Sequence, residues 1–280
     1  MITVLSTGPL ATIQDEGRLG FAHLGVPRAG ALDQPAAALA NRIVGNSATC
    51  AVVEIVLGGL RLRTSQGLWI AVTGAPAQLR VDGAPRGHER AEWVAAGSEI
   101  ALDPPPSGVR SYLAVAGGFE VPQVLGSRST DTLAGVGPGP LVSGQDLASG
   151  PVTGPIQAHD TPRPAPRGAL RVSAGPRLDW LTADALDVLC ADEYVVRAES
   201  NRVGLRLEGS RLGRRRQDEL ASEGMVLGAI QVPPDGLPVV LLNDHPVTGG
   251  YPVVAVVERA DLWQCAQLRP GERLRFTTRR

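Results

Sequence analysis

Side chains able to move protons crowd into one stretch, Ser222–Pro252 (SEGMVLGAIQVPPDGLPVVLLNDHPVTGGYP). Glu223, Asp244 and His245 are the candidate catalytic residues, because carboxylates and an imidazole are the usual general acids and bases. Gln231, Thr248 and Tyr251 add neutral donors and acceptors that could orient a polar substrate. The apolar runs here, Met225–Leu227, Ile230–Val232 and Val239–Leu242, are short and bounded by Gly, Pro or Asp, the pattern of short strands joined by tight turns. Binding groups collect at such strand ends. The plain alternative is a set of β-turns with ordinary turn residues.

Four further groups could help bind a small molecule. Residues 11–33 (ATIQDEGRLGFAHLGVPRAGALD) carry Gln14, Asp15, Arg18 and Asp33, and glycines at 17, 20, 25 and 30 forbid a long regular element. A long loop loaded this way is uncommon unless functional. Glu54 interrupts an apolar run, so it either faces outward or is buried and paired. Asn201 and Arg202 stand in SNRVG. The cluster Ser127-Arg128-Ser129-Thr130 could hold an anion through hydroxyls, backbone N–H groups and a guanidinium. It reads equally well as a turn with a helix cap.

Several chemistries are excluded. All 27 basic residues are arginines, so there is no P-loop lysine, no Schiff-base lysine and no biotinyl-lysine on this chain. No G-x-S-x-G or G-x-G-x-x-G is complete. His23, His88, His159 and His245 lack zinc spacing, and no metal is expected. The net charge of −1 argues against nucleic acid or an anionic membrane as partner. Three distant cysteines and no long apolar run or signal segment suggest a cytoplasmic protein.

The elements that must position these groups read as mainly β with short helices. Length suggests about two domains at roughly 150 residues each. The expected division is 1–160, with an extension at 104–150 and a Pro/Gly-rich linker at 151–168, then 169–280. Asp33 reads as the N-cap of a helix through Ile43, with Pro35 in its first turn. Short helices are expected at Trp180–Cys190 and Ala260–Gln267. Four landmarks recur at offsets of 167 to 174 residues, among them STGP at 6–9 against SAGP at 173–176, and EIVLG at 54–58 against EGMVLG at 223–228. A duplicated β-rich domain follows, in which Glu54 and Glu223 would be equivalent.

The motifs TIQDEGRLG (12–20), GVPRAGALD (25–33), ANRIVGN (40–46), YLAVAGGF (112–119), LGSRSTDT (125–132), SNRVGLRL (200–207), the 222–252 stretch and AQLRPGERLRF (266–276) together resemble the biotin-dependent carboxyltransferase family, also called allophanate hydrolase subunit 2. Pro246 departs from the family pattern, which has Gln or a similar residue there. The resemblance implies tandem cyclophilin-like β-barrel domains. It implies the C-type subunit of an ATP-dependent 5-oxoprolinase, inactive alone. Such a complex opens 5-oxo-L-proline to L-glutamate with a subunit-1-type partner, similar to the B-type subunit of 5-oxoprolinase, and a third subunit. ATP would then bind this chain or be shared with a partner. The alternatives are a carboxyltransferase half-site using biotin carried on a partner, as in urea carboxylase, and a non-catalytic regulatory or binding subunit.

Overall fold

A computed structural model describes residues 1–157 and 167–278. His159 and half of the Pro/Gly-rich stretch, residues 158–166, lie outside the described residues. Contacts divide the chain into two units. The first comprises residues 1–18, 29–131 and 135–164; the second comprises residues 19–28, 132–134 and 165–280.

The first unit is built from two sheets. Seven strands run in the order Phe119–Glu120, Asp146–Ser149, Ile2–Thr7, Leu60–Thr64, Glu99–Leu102, Leu79–Val81 and Ala84–Pro85. Five run in the order Leu10–Gln14, Val52–Val56, Arg110–Val115, Leu68–Gly74 and Glu92–Val94. The alternation of Leu60–Thr64 shows why one face is core: Leu60 and Leu62 are buried while Arg61 and Arg63 are exposed. Arg110–Val115 is buried throughout, because its sheet is covered on both faces. Leu113 and Val115 join Ile2, Val4, Ile55, Leu62 and Ile100 in the main core. Tyr112 and Ala114 face the other way, against Ala36, Ala37, Ala40 and Ile43 of the helix Gln34–Ile43. Asp33 caps that helix as expected, its carboxylate accepting from Ala36 N at 3.0 Å.

The turn after the first strand depends on Gly8. Its φ is +65°, and a Cβ there would sit 2.0 Å from the Gly58 carbonyl oxygen. Neither the backbone conformation nor the contact tolerates a side chain. Gly8→Ala is expected to cost about 2 kcal/mol or more of stability, read as a lower denaturant midpoint.

The second unit is a closed barrel of Leu170–Ala174, Val253–Val257, Ala229–Gln231, Val239–Leu241, Gly204–Glu208, Glu193–Val196 and Arg273–Thr278. Closure comes from a parallel pairing of Leu170–Ala174 with Arg273–Thr278, whereas the other pairings are antiparallel. Tyr194 and Phe276 meet edge to face inside it, 5.8 Å apart. The mainly-β expectation holds in both units. The expected Trp180–Cys190 helix is split: a 3₁₀ turn covers Leu178–Trp180, Leu181 is extended (ψ 165°), and the helix is Ala185–Ala191. The second short helix is also split, into Arg259–Asp261 and Leu262–Cys265.

The equivalence of Glu54 and Glu223 is corrected. Glu54 lies mid-strand in Val52–Val56 and is buried. Glu223 opens a two-residue strand paired with Thr248–Gly249 and is half-buried. A shared sequence motif here produces two different environments, because one strand is central and the other belongs to a two-stranded ribbon.

Candidate functional site

The expected residues fall into four groups by their hydrogen-bond partners. In each, the carboxylate is engaged by donors of the chain itself.

The first cluster, in the first unit, answers the question left open at Ser127–Thr130. That loop does hold an anion, and the anion is Asp15. Its Oδ1 accepts from Ser127 Oγ at 2.6 Å, Ser129 Oγ at 2.5 Å and Gly17 N at 2.8 Å, and its Oδ2 accepts from Arg128 N at 2.6 Å. Four donors leave the carboxylate little room for a ligand. Arg18 is buried and reaches the carbonyls of Val124 and Ser129. Gln14 is fully buried and donates to Thr12 Oγ1 and the Thr130 carbonyl, each at 3.0 Å. Gln14, Asp15 and Arg18, expected as substrate ligands, knit the loop to the strand Leu10–Gln14.

The second cluster surrounds Glu54, which takes the buried, paired alternative. Its Oε2 accepts from Leu32 N at 3.0 Å and Tyr112 Oη at 2.9 Å, and Arg110 Nε lies 3.3 Å from Oε1. Tyr112 Oη in turn accepts from Asp33 N at 2.8 Å. Burial, then the charges of Glu54 and Asp33, push the Tyr112 phenol well above its ordinary range, so it stays a donor. These residues fasten the start of the helix Gln34–Ile43 to the sheet beneath it.

The third cluster, in the second unit, centres on Asp244. Arg202 grips it in a fork, Nη2 to Oδ1 at 2.9 Å and Nε to Oδ2 at 3.0 Å. Thr132 adds its N–H at 2.9 Å and its hydroxyl at 2.7 Å, both to Oδ2. Asp244 is fully buried and Arg202 is 2 % exposed. His245 follows, with Nδ1 2.8 Å from the Pro246 carbonyl oxygen. A carbonyl only accepts, so Nδ1 carries the proton and Nε2 keeps its lone pair. Burial holds the imidazole below its ordinary range, opposed by the Pro246 carbonyl and Asp244 and reinforced by the charge of Arg28. His245 is therefore neutral at pH 7.

The fourth cluster pairs Glu223 with Arg177, Nε to Oε2 at 2.9 Å together with a contact from Nη2 to Oε1. The Arg177 hydrogen bonds hold the Glu223 carboxyl below the usual range. Thr248 lies opposite Gly224 in the same ribbon. Gln231 donates towards Met225 Sδ at 3.1 Å and the Tyr251 carbonyl at 3.5 Å, while the Tyr251 ring is exposed. Asn201 is exposed and folds its own turn, Oδ1 accepting from Val203 N at 2.8 Å.

By residue type, Glu223, Asp15 and Asp244 could each serve as a base. Asp15 and Asp244 each already accept four hydrogen bonds from the chain itself, whereas Glu223 accepts two, both from Arg177. His245 keeps a proton-accepting atom at Nε2. Sequence reasoning does not single out Thr132, Arg177, Arg110 or Tyr112 as partners; Thr132 stands inside the LGSRSTDT motif with nothing local to give it meaning. Among the described residues, no group of three or more His, Cys, Asp or Glu could hold a metal ion.

His88 is also held below its ordinary range by burial. Both histidines bind protons more readily in the unfolded chain, so their contribution to stability is complete above about pH 6.5 and falls as pH drops below it. Chemical unfolding between pH 7 and pH 5 is expected to show this loss, and His88→Gln is expected to shallow the slope.

Residues 24–278 match the family described as carboxyltransferase domain, subdomain A and B. The chain belongs to this family. It is 37% identical to the C-type subunit of 5-oxoprolinase from Escherichia coli K12, over 99% of this chain and 90% of that protein. It is 31% identical to urea amidolyase of Saccharomyces cerevisiae over 98% of this chain, but only 16% of that much longer protein. The crystal structure of Kluyveromyces lactis urea carboxylase superposes with a TM-score of 0.92 at 29% identity, covering 99% of this chain and 27% of that one. The carboxyltransferase family thus occurs as a separate subunit and as a segment of larger enzymes. This chain matches the separate subunit over nearly its whole length.

Proposed function

We propose that this chain is the C-type subunit of a 5-oxoprolinase, which hydrolyses 5-oxo-L-proline to L-glutamate with consumption of ATP. The observation that carries the proposal is the 37% identity to the E. coli subunit across nearly all of both chains. The proposed complex contains a partner of the B type and a third subunit, works in the cytoplasm, and has no activity in this chain alone. Among the described residues, no helix is long and apolar enough to cross a membrane.

The chemistry needs polarisation of the lactam carbonyl, donors for phosphate charge and a positioned base. Arginines and backbone N–H groups meet the first two needs. Because Asp15, Asp244 and Glu223 are engaged internally, the role proposed for this chain is to bind and orient, with nucleotide held by or shared with a partner. His245 tests how far that role extends. In the assembled complex, loss of at least about a hundredfold in kcat on His245→Ala, with folding intact, would place the proton acceptor on this chain. Unchanged turnover would place it on a partner.

The second reading is a carboxyltransferase half-site, favoured by the family match and the urea amidolyase relatives. Lacking lysine, this chain would need biotin delivered on another protein. Avidin blotting of the purified complex separates the readings, since the 5-oxoprolinase proposal requires no biotinylated subunit.

A further inference from the structure

We infer that a single buried water molecule bridges Gln14 and Thr130. Gln14 is 0 % exposed and Thr130 is 2 % exposed. The orientation of the Gln14 amide is fixed by its neighbours. Nε2 donates to the Thr130 carbonyl at 3.0 Å, an oxygen that only accepts, so turning the amide over would set two acceptors face to face. Its second hydrogen goes to Thr12 Oγ1, also at 3.0 Å. Oε1 must then be the acceptor on the other side, and it has no protein donor. The Thr130 hydroxyl is likewise buried without a protein partner.

These atoms belong to residues already hydrogen-bonded to each other. Thr130 runs beside the strand Leu10–Gln14, its N–H donating to the Ile13 carbonyl at 2.9 Å and its carbonyl accepting from Gln14. Leaving two buried polar atoms unsatisfied at one junction would carry the full desolvation penalty of each. Native proteins avoid that cost by enclosing ordered water where polar groups converge. A water donates one hydrogen to Oε1 and exchanges a bond with the hydroxyl, which no apolar guest and no lone anion does. It completes the junction whose other half is the Ser127, Arg128 and Ser129 grip on Asp15.

The test uses the full-length chain, a high-resolution crystal structure and urea unfolding of Thr130→Val, which keeps the shape and removes the hydroxyl. The expected result is a water peak about 3 Å from both Gln14 Oε1 and Thr130 Oγ1. Alongside it, the valine variant should lose roughly fivefold in its folding equilibrium constant. Thr130→Ser, which retains the hydroxyl, should retain the peak. An absent peak would overturn the inference. So would a Thr130→Val variant as stable as the wild type or more so, because removing a hydroxyl that truly lacks a partner costs nothing.

Discussion

Asp244→Ala is expected to lower stability by about 3–5 kcal/mol, the range for removing one partner of a buried ion pair. The loss would come from Arg202, left 2 % exposed with its fork unanswered, and from the Thr132 donors. Much of this is the cost of a buried guanidinium that has lost its carboxylate rather than the strength of the pair. The double variant Asp244→Leu, Arg202→Met should therefore recover part of the loss that Asp244→Ala alone inflicts. Urea unfolding of the three proteins checks both statements. A change below about 1 kcal/mol in Asp244→Ala would mean that the pair is solvated and the site open, against its burial.

Glu54→Leu is expected to have an effect of similar size, about 3 kcal/mol or more, for the same reason at a different place. Arg110, Tyr112 Oη and Leu32 N would all lose their acceptor in a site that is 1 % exposed. Glu54 acts through Tyr112 on Asp33, so the damage should reach the helix Gln34–Ile43. Tyr112→Phe isolates that link and is expected to cost about 1–2 kcal/mol. Hydrogen exchange gives the local readout: amides at the helix start should lose protection in Tyr112→Phe while the strand Leu60–Thr64 keeps it. Uniform loss across both would show that Tyr112 supports the unit as a whole and not the helix start.

These two expectations explain why the fold is more legible than the site. The strands announce themselves locally: Leu60 to Thr64 alternates, and the apolar run of Arg110–Val115 suits a strand covered on both faces. Asp33 with Pro35 marks the helix start within three residues. The site depends on donors that are remote in sequence. Ser127 lies 112 residues from the Asp15 it binds, and Thr132 lies 112 residues from Asp244. No local pattern shows that a carboxylate already has its donors, so Asp15, Asp244 and Glu223 look available in the sequence alone. Residue type is readable there and availability is not. The short helices differ for a smaller reason: Leu181 is extended and makes an isolated bridge to Arg214, a tertiary contact that overrides helix propensity around Trp180.

The measurement that tests the account most directly is glutamate release from 5-oxo-L-proline and ATP, with this chain alone and with its co-purified partners. The chain alone is expected to release none, and the assembled complex to release glutamate only when ATP is present. An intact complex that releases no glutamate from 5-oxo-L-proline would contradict it.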